Sequence, residues 1–437
     1  MDYNFIQHIR GSVSSGIAQR IKSGMLWSFT GTAIAKFLIL LSGIVCARIL
    51  SKEMYGEFNM VRSTINMFVV LGTGGLGVTA TKYISAYKKN QKEKIPNIYA
   101  LTNSFSIFIG LICTVLIVCA SGYISAIILK EPSINRAIKL GGLLLFFTCI
   151  NGVQNGTLAG FEKFKDISIN SFIGSIFECV FMLIGAYYYQ VEGAIVGFGM
   201  GFIALFVANK ISINHTFRQY QLSFRKGLFP YIDWSILLHY SLPAALSSIL
   251  ITPTFWMIRT ILVRHGSFSE LAVFEAADQW KVIILYIPTA ISQITLPILA
   301  SLLKEKKDYF NTLKLNLFIV FGITFLLVVI VCFLGSYIMG LYGKGYNNSL
   351  CLQIISISTL FSAIANIIEL SIYSVGKMWQ CFVINSFWAI SMIGFAEFFV
   401  NIGMGATGLS LSILISYVIS CVLFYLYLLK IKRNEFR

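Results

Sequence analysis

Nine ionisable side chains fall inside apolar stretches of this 437-residue chain: Lys36, Arg62, Glu178, Arg259, Glu275, Asp278, Lys281, Glu369 and Glu397. A charge at mid-bilayer costs at least about 2.5–3.5 kcal/mol on insertion scales, so it usually faces a cavity or a partner. Lys36, Arg62, Arg259 and Lys281 suit an anion site, because phosphate or pyrophosphate in a low-dielectric cavity needs such counter-charge. Glu275, Asp278 and Lys281 step by three and stay on one side of a helix. Carboxylates close together in low dielectric compete to stay ionised. Glu275 and Asp278, with Glu178, therefore suit coupling to a proton or cation. The competing reading makes Lys36–Glu178 or Lys281–Asp278 buried structural pairs and lets Arg62, Arg259 and Glu397 snorkel to an interface. Asn151, Gln154 and Asn155, at i, i+3 and i+4, put three amides on one helical face. That face suits sugar hydroxyls or hydrogen bonds between helices.

The elements that must position these residues follow from composition. AVILMFWYC make up 57% of the chain and DEKR only 12%, against roughly 45–50% and about 25% in soluble domains. With a mean hydropathy of +0.78, a soluble enzyme and a disordered chain are both excluded. The apolar runs are long and unbroken, unlike the alternating segments of a membrane barrel. The expectation is an all-α polytopic membrane protein. About twelve runs reach the roughly 20 residues a span needs. They are 24–47, 58–82, 98–127, 138–160, 167–189, 193–213, 235–263, 269–302, 314–341, 349–375, 378–401 and 405–430. Pro243, Pro253, Pro288 and Pro297 predict kinks or broken turns in the seventh and eighth.

With the N-terminus placed in the cytoplasm, 23 of the 34 Lys and Arg residues fall in inside loops or tails and 7 in outside loops. This bias puts both termini inside and accounts for most of the net charge of +16 without nucleic acid. Anionic membrane lipid remains a partner for the basic loops. The longest hydrophilic stretch, 214–234, divides the chain into 1–213 and 235–437, two six-helix lobes around a central cavity. Phe224, Leu228, Phe229 and Tyr231 beside Arg225 and Lys226 suit an interfacial amphipathic segment, and a solvated linker is the alternative.

Other patterns carry less chemistry. Gly72-Thr73-Gly74-Gly75-Leu76-Gly77 matches GxGxxG but lies within an apolar run rather than a βαβ unit. It reads as a segment for close helix packing or flexing. The nine cysteines show no CxxC spacing, and the four histidines are scattered. No metal site, cofactor or catalytic residue is expected, and no cleavable signal peptide is visible.

The first junction reads Ala47-Arg48-Ile49-Leu50-Ser51-Lys52-Glu53-Met54-Tyr55-Gly56-Glu57-Phe58. It resembles the ARxLxxxxYGxF signature of polysaccharide and O-antigen flippases in the multidrug/oligosaccharidyl-lipid/polysaccharide exporter (MOP) superfamily. Leu76-Gly77 before Thr81-Lys82-Tyr83, Gly156 through Phe164, and Tyr240-Ser241-Leu242-Pro243 are also similar to that family. The resemblance implies a two-lobed bundle in the bacterial inner membrane. Its substrate would be a glycan on undecaprenyl pyrophosphate, with Lys36, Arg62, Arg259 and Lys281 as the cavity cations. It further implies alternating access, a supply to polysaccharide polymerase or ligase machinery, and no enzymatic activity. A multidrug or organic-cation antiporter of the same superfamily is the rival, and its cavity would be acidic and aromatic.

Overall fold

The structure is a computed structural model that describes residues 15–225 except 74, together with 236, 250–302 and 305–434. Among these residues the secondary structure is helical throughout and there is no strand. The helices of the first half are α1 (Ser15–Ile49), α2 (Lys52–Thr73), α3 (Leu76–Asn90), α4 (Ile95–Tyr123), α5 (Asn135–Gly160) and α6 (Phe164–Gln219). The second half holds α7 (Ile251–His265), α8 (Phe268–Ile284), α9 (Tyr286–Ser301), α10 (Lys306–Phe333), α11 (Gly335–Gly340), α12 (Ser349–Ser374), α13 (Met378–Asn401) and α14 (Gly405–Asn434). Among the described residues eight helical stretches are long and apolar enough to cross a membrane. The chain is a multi-pass membrane protein.

Among the described residues the apolar runs map onto these helices, and three places are informative. Gly75 takes a left-handed φ of 69° and splits the second run into α2 and α3. The eighth run divides at Leu285 into α8 and α9, and Pro288 then sits in the first turn of α9, where its missing N–H is harmless. Pro253 likewise lies in the first turn of α7, while Pro243 is outside the described residues. The fifth and sixth runs form two limbs of α6, folded back at Tyr189 and Gln190, where φ reaches 50°. Helix α6 continues through Gln219, into the stretch expected to be a linker. Phe224 folds back to stack on Phe217 at 4.3 Å; Lys226, Leu228, Phe229 and Tyr231 lie outside the described residues.

The first six helices pack on one another, chiefly α1 on α6, α4 on α5 and α5 on α6. Helices α7 to α14 do the same, with α12 and α13 on α14 and α10 on α12. The apolar outer faces fit a bilayer: Phe318, Leu326 and Phe333 of α10 and Ile390 of α13 are exposed. Exposed Tyr187, Tyr188 and Tyr189 sit at the α6 turn, the position of interfacial aromatics.

The glycine-rich segment does its work through contact. Gly77 of α3 faces α5 so closely that a Cβ there would come within 2.5 Å of the Gly152 carbonyl oxygen, and a Cβ on Gly156 would strike the Gly77 carbonyl. The Thr81 hydroxyl donates to the Gly156 carbonyl at 3.0 Å across this approach. Both obstacles are backbone, so no side chain can rotate away. Gly156→Ala is therefore expected to destabilise the first half by about 1–3 kcal/mol through overpacking. A lowered thermal midpoint of the detergent-solubilised protein checks this.

Candidate functional site

The α7–α8 hairpin builds the densest polar cluster. It turns at Gly266 and Ser267, and the Ser267 hydroxyl caps α8 by accepting from the Glu270 N–H at 3.1 Å. A turn this short sets the two helices side by side, so residues at similar distances from it face each other. Arg259 of α7 thus meets α8. Its Nε donates to Glu275 Oε1, and its Nη2 donates to Asp278 Oδ2 at 3.2 Å. Lys281 Nζ lies 2.5 Å from Asp278 Oδ1. The Phe255 ring supports both cations, with Lys281 Nζ 4.4 Å and the Arg259 guanidinium 5.6 Å from its centroid. The side chains are all 8–13% exposed. Two cations and two carboxylates make a buried quartet with no formal net charge.

The remaining charged candidates are arranged differently. Arg62 of α2 and Lys36 of α1 are half-buried. Arg62 rests 5.7 Å from the centroid of the Phe198 ring, and Lys36 Nζ lies 6.0 Å from that of Tyr286. Neither forms an ion pair among the described residues. The same holds for Glu178 of α6, which is buried, so the Lys36–Glu178 pair is not made here. Arg62 lies within coulombic reach of Glu178 in the first half and of Asp278 in the second. Arg259 does not snorkel, because the quartet holds it inside. Glu397 does sit at an exposed rim, 3.3 Å from His265 Nε2. Glu369 accepts from Tyr373 Oη at 2.8 Å and from Asn385 Nδ2 at 2.6 Å, apart from the quartet.

The α5 amides are engaged between helices. Asn151 Nδ2 donates to the Phe202 carbonyl at 2.9 Å, and Asn155 Oδ1 accepts from Asn209 Nδ2 at 3.0 Å. Asn209 Oδ1 in turn accepts from Asn170 Nδ2 at 2.9 Å. These bonds tie α5 to α6 and the two α6 limbs together. Gln154 is buried.

Sequence reasoning missed a second polar cluster, where the α1–α2 turn meets α8. Tyr55, Gln279 and Tyr342 are linked there by side-chain hydrogen bonds. Burial pushes the Tyr342 and Tyr346 phenols above the usual tyrosine range, and the Tyr342 hydroxyl donates to Gln279. Only the Tyr55-Gly56 step within the junction motif signalled this place.

Comparison with known proteins places the chain. Residues 21–303 match the family described as polysaccharide biosynthesis proteins. The EPS I polysaccharide export inner membrane protein EpsE of Ralstonia nicotianae is 21% identical over 182 residues. That alignment covers 41% of this chain and 42% of the relative, less than half of each. Among solved structures, an inward-facing multidrug resistance MATE family transporter of the MOP superfamily superposes with a TM-score of 0.74 at 16% identity, over 92% of this chain and 96% of that one. A MOP superfamily transporter from Pyrococcus furiosus gives 0.67 at 16% identity, over 93% and 95%. An outward-facing MATE family transporter gives 0.67 at 16% identity over the same shares. The chain belongs to the polysaccharide biosynthesis protein family and has the fold of the MOP-superfamily transporters.

Proposed function

We propose that this transporter moves a polysaccharide repeat unit, linked to undecaprenyl pyrophosphate, from the cytoplasmic to the outer face of the bacterial inner membrane. The observation that carries the reading is the charge imbalance. The quartet is neutral by itself, while Arg62 and Lys36 add positive charge without ion-pair partners among the described residues. An anionic pyrophosphate is the group such charge attracts, and an arginine can grip it with two parallel hydrogen bonds. An organic cation would need carboxylates left over; Glu275 and Asp278 are both matched internally, and Glu178, which makes no ion pair among the described residues, lies in the field of Arg62.

In this reading the pyrophosphate meets Arg62 and Lys36, and the glycan rides in the hydrated space between the halves 1–213 and 235–437. The lipid tail stays in the bilayer. The halves rock to expose the site to one side and then the other. Both termini face the cytoplasm, as the loop charges require. The delivered unit would then pass to polymerising or ligating machinery. Surface glycan display in a null strain tests the proposal. Wild-type complementation should restore long glycan, and a null strain that keeps its glycan would sink the reading.

A further inference from the structure

The junction motif around Tyr55-Gly56 takes no part in the charge quartet, yet it lies at the main contact between the two sets of helices. Helices α1–α6 meet α7–α14 chiefly where α2 packs on α8 and α7, and α1 on α8. At that place Tyr55 is fully buried, and its Oη accepts from Gln279 Nε2 at 2.6 Å. Tyr342 Oη donates to Gln279 Oε1 at 3.2 Å. Gln279 fits a notch at Gly43 of α1, where a Cβ would come within 2.6 Å of Oε1 and 2.8 Å of Nε2. A Cβ on Gly56 would run into the Phe268 carbonyl group at the start of α8. Further bonds edge the same contact. Arg48 Nε donates to the Leu341 carbonyl at 2.6 Å, Trp256 Nε1 donates to Thr64 Oγ1 at 3.0 Å, and Lys52 Nζ lies 5.9 Å from the Tyr346 ring centroid.

We infer that Tyr55, Gly56 and Gln279 form a latch that holds the two sets of helices together at the α1–α2 end, and that its release lets this end open. The chemistry suits a contact that must break and re-form. Hydrogen bonds between neutral side chains are worth about 0.5–1.5 kcal/mol each. They specify a docked register without the deep well of a buried ion pair. The two glycines let backbone and amide approach closely, so the closed contact is tight. Helix α8 carries Gln279 directly after Asp278 and two residues before Lys281. Helix α2 carries both Tyr55 and Arg62, so movement of the latch also moves the proposed anion contact, which gives the transported anion a route to influence closure. This assignment rests on the alternating-access reading for its role in transport, but the latch itself is testable without substrate.

The test is hydrogen–deuterium exchange of the full-length protein in lipid nanodiscs, without glycan, comparing wild type, Gly56→Ala and Tyr55→Phe. Gly56→Ala is expected to speed exchange at least about tenfold in peptides covering 47–58 and 268–280, since a shift of that size needs only about 1.4 kcal/mol. Tyr55→Phe keeps the packing and loses one hydrogen bond, so the same two segments should speed up by a smaller factor. Peptides from α4 and α13 should stay at wild-type rates and report an intact fold. If Gly56→Ala raises exchange everywhere, Tyr55→Phe decides by itself. Unchanged exchange at both segments in an intact Tyr55→Phe protein overturns the latch. Faster exchange there combined with undiminished glycan export would keep the latch and remove its role in transport.

Discussion

Arg62→Ala is expected to cut surface glycan export at least about tenfold in the complemented null strain, with the protein inserted at wild-type levels. A hydrogen bond to a charged group is worth about 1.5–3 kcal/mol, which corresponds to roughly 10- to 100-fold in binding. Arg62 is half-buried and makes no ion pair among the described residues, so no carboxylate there holds its guanidinium directly. Its field also reaches Glu178 and Asp278, one in each half of the chain. Removal should therefore weaken the anion site more than the fold. Arg62→Lys separates charge from shape: it keeps the charge and loses the planar fork. Export should recover partly with lysine if the substrate group is a phosphate. Full export by Arg62→Ala would remove Arg62 from the site.

Arg259→Ala should act on stability. It leaves Glu275 without its guanidinium partner and Asp278 with Lys281 alone, all in a buried setting. Breaking a buried pair by deleting one partner costs about 3–5 kcal/mol, because the remaining charge is left uncompensated. The expected result is a thermal midpoint well below that of Arg62→Ala and a low level in the membrane. The double variant Arg259→Met with Glu275→Gln removes the stranded charge and should recover much of that loss. A wild-type midpoint for Arg259→Ala alone would show that the quartet is not a stabilising unit. The contrast between Arg62 and Arg259 separates a charge available to a substrate from one held by the fold.

The sequence made the helical membrane architecture legible because hydrophobic length and loop charge are strong, additive signals. It also marked ionisable residues inside the apolar runs. It did not show how they pair. Lys36, Arg62, Arg259 and Lys281 look alike in a list of intramembrane cations, yet Arg259 and Lys281 are matched by α8 carboxylates and the other two are not. A signal was present: Arg259 and Glu275 lie at similar distances on either side of the Gly266-Ser267 turn, which sets them face to face. The breaks at Gly75 and Leu285 fall inside continuous apolar sequence, but the glycine-rich segment 72–77 and Pro288 mark them. The face bearing Asn151 and Asn155 left two readings open, and only its partners Phe202 and Asn209 show where the hydrogen bonds go. The interface around Tyr55 and Gln279 joins residues 224 positions apart, beyond any periodicity.

The proposed cargo is a pyrophosphate-linked glycan. The most direct measurement is translocation in proteoliposomes loaded with a fluorescent undecaprenyl-pyrophosphate oligosaccharide, read by accessibility of the label to a membrane-impermeant quencher. The account predicts protein-dependent transfer between leaflets that Arg62→Ala abolishes and that undecaprenol without phosphate does not share. Transfer at the protein-free rate by an intact wild-type protein, or equal transfer with and without the pyrophosphate, would contradict it.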